Sequence, residues 1–315
     1  NGDNTICYPQ KADFTFYGGL YRNVNLLVVP KEHFALDYCG TPGIKVTPEV
    51  DLETKKATVT VEVWTSGNPT EVTITAAGQT KTAEVSENYA KAVFEIEQVR
   101  LWDGLEDPYL YSAVACLASG DRVSTRFGCR KFEMDPQKGF LLNGRSYPLR
   151  GVSRHQDLKG VGNALTLEAH QRDMEIIREL GATTLRLAHY QHAQEFYDLC
   201  DENGLVVWAE IPYITMHMSS ARANTLSQME ELIVQNYNHP SICFWGISNE
   251  ITMGGESDEL VENQRILQKL CHKLDPSRKT VLANLTTVES QSEQNKITDL
   301  SAYNVYMGWY AGKVE

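Results

Sequence analysis

The sequence predicts two parts of different class: an immunoglobulin-like β-sandwich, then a (β/α)8 barrel that breaks off after about its sixth strand. Three observations carry this. Short stretches that alternate apolar and polar residues fill the first third of the chain, separated by Gly, Asn, Ser and Pro. Past Asp135 the pattern changes to apolar strands alternating with amphipathic helices, as in a parallel sheet with helices outside it. Within that second region, Ile242-Cys243-Phe244-Trp245-Gly246-Ile247 reads as a strand buried on both faces and ends on Ser248-Asn249-Glu250. A carboxylate at the carboxyl end of a parallel strand stands where barrel enzymes keep their chemistry.

Residues 1–32 are too few for a core of their own. Phe14-Thr15-Phe16-Tyr17 is broken by Gly18-Gly19, and Val24-Asn25-Leu26-Leu27-Val28-Val29-Pro30 is strand-like. This segment reads as the tail of a further β-domain, or as an arm packed on the next one. Residues 33–134 read as the sandwich. Ala57–Trp64, Val72–Ala76 and Ala92–Ile96 alternate with period two, and Trp102 with Tyr109-Leu110-Tyr111 is most simply core. Residues 135–315 read as the barrel. Its first piece is a hairpin turned at Asn143-Gly144, a dipeptide suited to two successive positive φ angles. Strands follow at Leu149–Val152, Thr184–Leu187, Leu205–Ala209, Ile242–Ile247, Thr280–Ala283 and near Leu300–Tyr303. Helices lie between them, one from Thr166 to Leu180 stopped by Gly181 and one from Glu256 to Leu274. No Gly-rich phosphate loop follows the first strand, which favours a barrel over an open dinucleotide-binding sheet.

Composition narrows the partners. At 315 residues, with 42% hydrophobic and 22% charged residues, the chain is ordinary globular material. A net charge of −12 argues against nucleic acid and against an anionic membrane surface. No apolar run reaches membrane-spanning length. The seven cysteines are odd in number and never spaced Cys-x-x-Cys, so reduced thiols and a cytoplasmic setting fit best. A periplasmic one stays open, because the chain starts at Asn1 without Met and a leader could have been removed. An unclosed barrel exposes two sheet edges, so homo-oligomers are expected.

The polar residues gather at strand ends. Arg154-His155-Gln156-Asp157 follows the first barrel strand, His189-Tyr190 the second, Glu210 closes the third and Asn249-Glu250 the fourth. Each alone has a structural explanation. Four successive strand ends on one rim point instead to a shared ligand, and an acidic, amide-rich rim suits a neutral polyol.

Two motifs here resemble glycoside hydrolase family 2, the family of β-galactosidases and β-glucuronidases. Thr184-Leu185-Arg186-Leu187-Ala188-His189-Tyr190 with Asp201-Glu202-Asn203-Gly204-Leu205-Val206-Val207-Trp208 resembles one signature, departing at Thr183, Leu187 and Gln191. Asn238-His239-Pro240-Ser241 through Trp245-Gly246 to Asn249-Glu250 resembles the other, with mild departures at Tyr237 and Cys243. Tyr17-Gly18-Gly19-Leu20-Tyr21-Arg22 is similar to the end of the family's jelly-roll sugar-binding domain, and Arg150-Gly151-Val152-Ser153-Arg154-His155 to its first barrel strand.

The resemblance implies retaining hydrolysis of a β-glycoside by two carboxylates. It makes Glu250 the acid/base, Asn249 the partner of the sugar 2-hydroxyl, and His155, His189, Glu210 and Tyr306 sugar contacts. Arg186 and Asp157 are expected to order the rim. The two histidines favour terminal β-D-galactosides, with β-glucuronides as the alternative and a non-catalytic glycan-binding piece as the reading from another class. Family members often hold Mg²⁺ and Na⁺ beside the acid/base, but Glu210–His217 does not clearly reproduce those ligands. The nucleophilic Glu, expected in a Ser-Glu-Tyr/Phe-Gly context, matches neither Ser86-Glu87 nor Ser292-Glu293. The expectation is an internal fragment that lacks the nucleophile and is inactive alone.

Overall fold

The computed structural model describes residues 4–310 and 312. Eight strands build the sandwich: β1 (His33–Phe34), β2 (Ile44–Asp51), β3 (Lys56–Ser66), β4 (Glu71–Ala76), β5 (Gln79–Glu84), β6 (Tyr89–Glu97), β7 (Tyr111–Leu117) and β8 (Arg122–Phe127). One sheet runs β1-β3-β2 with β6 also paired to β3; the other runs β5-β4-β7-β8. Period-two alternation explains the packing, since Ala57, Val59, Val61 and Val63 of β3 all point into one core with Ile74 and Phe94.

A three-stranded antiparallel sheet joins the two parts: β9 (Phe132–Asp135), β10 (Gly139–Leu142) and β11 (Arg145–Ser146). The β10–β11 turn has φ of 51° at Asn143 and 77° at Gly144, the pair of positive angles expected of Asn-Gly. Phe140 and Leu142 pack with Trp102, Val206, Phe244 and Val281 beneath the parallel sheet.

That sheet has six parallel strands in sequence order: β12 (Gly151–Arg154), β13 (Thr184–Leu187), β14 (Val206–Glu210), β15 (Ile242–Asn249), β16 (Lys279–Leu285) and β17 (Leu300–Asn304). The connecting helices are α1 (Leu167–Glu179), α2 (Gln194–Asn203), α3 (Arg222–Asn236) and α4 (Asp258–Leu274). Gly204 ends α2 at φ 71°, and the Ser257 side chain caps α4 by accepting from the Leu260 N–H. Every residue of β15 is buried. Ile242, Trp245 and Ile247 face the helices, while Cys243 and Phe244 face the β9–β11 side.

One expected element is absent. Val24–Pro30 forms no strand, and Leu26 and Val28 are 91% and 90% exposed. A strand needs a neighbour to satisfy its amides, and among the described residues this stretch has none. Residues 4–22 instead lie along the parallel-sheet half. The Tyr8 hydroxyl donates to the Met216 carbonyl (2.9 Å) and accepts from the Met218 N–H (2.6 Å), and Arg22 reaches the Gln191 carbonyl (2.5 Å).

Gly246, in β15, leaves no room for a side chain. A Cβ there would sit 2.4 Å from Trp208 Nε1 and 2.6 Å from Glu210 Cγ. Gly246→Ala should therefore cost roughly 1–3 kcal/mol by overpacking, read as a lower denaturant midpoint at unchanged m-value.

Candidate active site

Because all six strands run the same way, their carboxyl ends deliver side chains to one rim. Arg186, on β13, is the hub. Its Nε donates to Glu210 Oε1 (2.6 Å), Nη1 to Asn304 Oδ1 (2.9 Å) and Nη2 to Asn249 Oδ1 (2.6 Å), and its guanidinium lies 4.4 Å from the Trp208 ring centre. Asn304 Nδ2 also donates to Asn249 Oδ1 (3.0 Å). With its oxygen held by two donors, Asn249 leaves its amide N–H groups without a protein acceptor among the described residues. They are set to donate to a ligand.

Glu250 follows Asn249 at φ 45°, a left-handed conformation unusual for a residue with a side chain. Its N–H is held by the Ala283 carbonyl (2.8 Å). Its Oε1 accepts from Asn304 Nδ2 (2.8 Å) and the Tyr306 hydroxyl (3.3 Å), and no partner holds Oε2 among the described residues. One carboxylate oxygen is oriented and the other is available.

Glu210 differs from the expectation of a sugar contact. It is 2% exposed, with Oε1 taken by Arg186 and Oε2 by His189 Nδ1 (2.8 Å). Burial works to raise its pKa, but the Arg186 charge and the His189 bond outweigh it and hold the carboxyl below its usual value. Both of its oxygens are thus taken up within the rim. With Nδ1 tied to Glu210, the His189 ring leaves Nε2 for other work, and it stands edge-on to His155 at 5.2 Å. Burial, and then the neighbouring His189, lower the His155 pKa and favour a neutral ring. Asp157 is exposed beside His155, whose pKa its charge raises, and makes no hydrogen bond among the described residues.

Three features escaped the sequence reading. Asn304 bridges Asn249 and Glu250; its position at the end of a strand was the only available signal. Phe14 lies against His155 (5.0 Å), Tyr190 (5.3 Å) and His189 (6.0 Å), walling the rim from the amino-terminal segment. An aromatic run too short to form a core was its one hint. The third is a buried cluster under the rim. Arg154 reaches Asp173 (2.6 Å), His170 Nδ1 (3.0 Å) and His192 Nδ1 (3.0 Å), with its guanidinium 3.8 Å from the Phe196 ring centre.

This cluster makes stability pH-dependent. Burial, and then the charge of Arg154, lower the pKa of both His170 and His192, so the folded state binds fewer protons there than the unfolded chain. Stability is complete above the unfolded-state value near 6.5 and is lost as the pH falls below it. His192 alone should remove about 1.4 kcal/mol per pH unit, with His170 acting in the same direction. Denaturant titrations between pH 7.5 and 5 check this; a flat profile refutes it.

Among the described residues, no group of three His, Cys, Asp or Glu side chains at Glu250 stands ready for the Mg²⁺ or Na⁺ that the resemblance implies. The Ile214 backbone bridges to Asn249, and His217 Nδ1 is held by the Tyr213 hydroxyl (2.7 Å). Among the described residues the one His/Cys/Asp/Glu group with ligand-like spacing is Asp198, Asp201 and His239, at the other end of the sheet. No second carboxylate joins Glu250 in such a group.

The class of protein now follows. Residues 42–130 match the family model described as glycosyl hydrolases family 2, and residues 134–314 match that family's TIM barrel domain. The chain belongs to glycosyl hydrolases family 2. Among curated relatives it is 38% identical to a β-glucuronidase of Bacteroides fragilis, covering 98% of this chain and 48% of that protein. It is 29% identical to a β-galactosidase of Thermoanaerobacterium thermosulfurigenes, covering 86% of this chain and 38% of that one. Among solved structures, an FMN-binding β-glucuronidase from Faecalibacterium prausnitzii is 46% identical at TM-score 0.94, covering 99% of this chain and 50% of that one. The chain thus spans between about two fifths and one half of the length of these relatives.

Proposed function

We propose that this chain supplies the acid/base half of the active site of a retaining β-glycoside hydrolase, as part of a (β/α)8 barrel completed by strands outside these residues. The observation that carries the reading is the Asn249-Glu250 pair at the end of β15, with the amide oriented by Arg186 and Asn304 and the carboxylate by Asn304 and Tyr306. In this mechanism Glu250 protonates the departing glycosidic oxygen and later deprotonates water. Asn249 donates to the sugar 2-hydroxyl, a contact that strengthens as oxocarbenium character develops. His155, His189 and Phe14 wall the sugar, and Tyr306 borders the acid carboxylate.

The nucleophile must lie about 5–5.5 Å from Glu250. Glu210, at the end of β14, is buried and doubly bonded, and is unsuited to attack. The reading therefore places the nucleophile on a segment outside residues 1–315. β-Glucuronides are the preferred substrate class, because the relatives of higher identity are β-glucuronidases. β-Galactosides are the second reading, favoured by the 29% relative and by a putative β-galactosidase structure at 35% identity.

The test is hydrolysis of aryl β-glucuronide and aryl β-galactoside by this polypeptide and by one extended through the remaining barrel strands. Turnover of one substrate by the longer chain alone supports the split site and fixes the specificity. Turnover by residues 1–315 that Glu250→Gln abolishes would place the nucleophile within them. Silence from both chains would favour a glycan-binding role.

A further inference from the structure

The junction between sandwich and parallel sheet holds a cavity of about 220 Å³, lined by Thr47, Arg130, Phe132, Tyr237, Ser277 and Arg278 among others. Arg278 donates Nε to the Ile242 carbonyl (2.8 Å), and Arg130 donates Nη2 to that same oxygen (2.5 Å), so two guanidinium groups stand side by side. Their charges are balanced unequally. Arg278 pairs with Asp275 (2.7 Å), whose oxygens are also held by Trp245 and Ser277. Arg130 has no carboxylate partner among the described residues; its Nε goes to the Pro240 carbonyl, and its Nη1 has no acceptor there. The nearby Lys131 is paired with Glu133 (3.4 Å). On the facing wall the Tyr237 hydroxyl accepts from Thr47 (3.2 Å), which leaves its own hydrogen to donate.

A half-buried guanidinium that bonds two carbonyl oxygens and pairs with no carboxylate can still take an anion through its free N–H groups. We infer that this cavity binds a phosphate group through Arg130, with the Tyr237 hydroxyl as a second donor. Burial, and then the Arg278 charge, lower the Arg130 pKa, and the charges of Asp275 and Asp201 offset them only in part. The site is separate from the rim. Ile242 opens β15 and Glu250 follows its last residue, so the two lie roughly 25 Å apart along the strand. The phosphate group could be free or carried by an organic monoester, for which Phe132 offers an aromatic wall 4.8 Å from the Arg130 guanidinium.

The experiment is calorimetric titration of residues 1–315 with inorganic phosphate, then with phenyl phosphate, in a chloride buffer of constant ionic strength. One saturable site is expected, with at least tenfold weaker binding in Arg130→Met. Thr47→Glu, which puts a carboxylate on the cavity wall, should abolish phosphate binding and raise the unfolding temperature; it decides the matter if the Arg130 variant does not fold. Equal affinity for both ligands assigns the site to the phosphate group alone, and tighter phenyl phosphate assigns it to an aromatic monoester. No saturable binding, or the same binding in the folded variants, overturns the inference.

Discussion

In the polypeptide extended through the remaining barrel strands, Glu250→Gln is expected to lower kcat/KM on alkyl β-glycosides by roughly 10²–10⁴-fold, the usual worth of a positioned general acid. The loss is smaller on aryl glycosides with strongly acidic phenols, because such leaving groups depart with little protonation. That gradient with leaving-group pKa separates a lost acid from a misfolded site. Gln keeps the shape of Glu and can still accept from Asn304 and Tyr306, so the unfolding midpoint should stay within about 0.5 kcal/mol of the parent. An equal loss on every leaving group would refute the assignment.

Arg186→Met is expected to have the largest effect on stability. It removes the cation facing Glu210, whose carboxylate is 2% exposed and would be left with His189 alone. Breaking a buried pair from one side costs about 3–5 kcal/mol, against about 1–3 for a typical surface-free core change. The same substitution releases the Asn304 oxygen and leaves the Asn249 oxygen to Asn304 alone, so activity of the extended chain should fall further than stability alone explains. Arg186→Lys should recover part of the stability and little of the activity, because one ammonium cannot reproduce three directed bonds to Glu210, Asn304 and Asn249. Full activity in the Lys variant would show that a positive charge is all the hub supplies.

The fold was legible where local pattern and burial coincide. β3 alternates because its sheet is wet on one side, and β15 is continuously apolar because it is covered on both. Glu250 and Asn249 were legible because a polar pair ends an otherwise buried strand. Asn304 was not, since nothing local tells a bridging amide from a turn residue, and its partners are 54 and 55 residues away. Glu210 was legible in its position at the end of β14 but not in the bonds that take up both of its oxygens. Only the bonds from Arg186 and His189 show it facing inward. Val24–Pro30 has the composition of a strand, yet pairing is a property of two segments and composition describes one.

The amino-terminal segment has a consequence for how pockets of this kind diversify. Tyr8 and Arg22 pin it at two points, and between them Phe14 forms part of the wall without belonging to any sheet or helix. A change of side chain or length between the pins alters the shape offered to a ligand while the six-stranded scaffold keeps every one of its ladder bonds. This one part of the rim can therefore drift without disturbing the sheet that carries the rest.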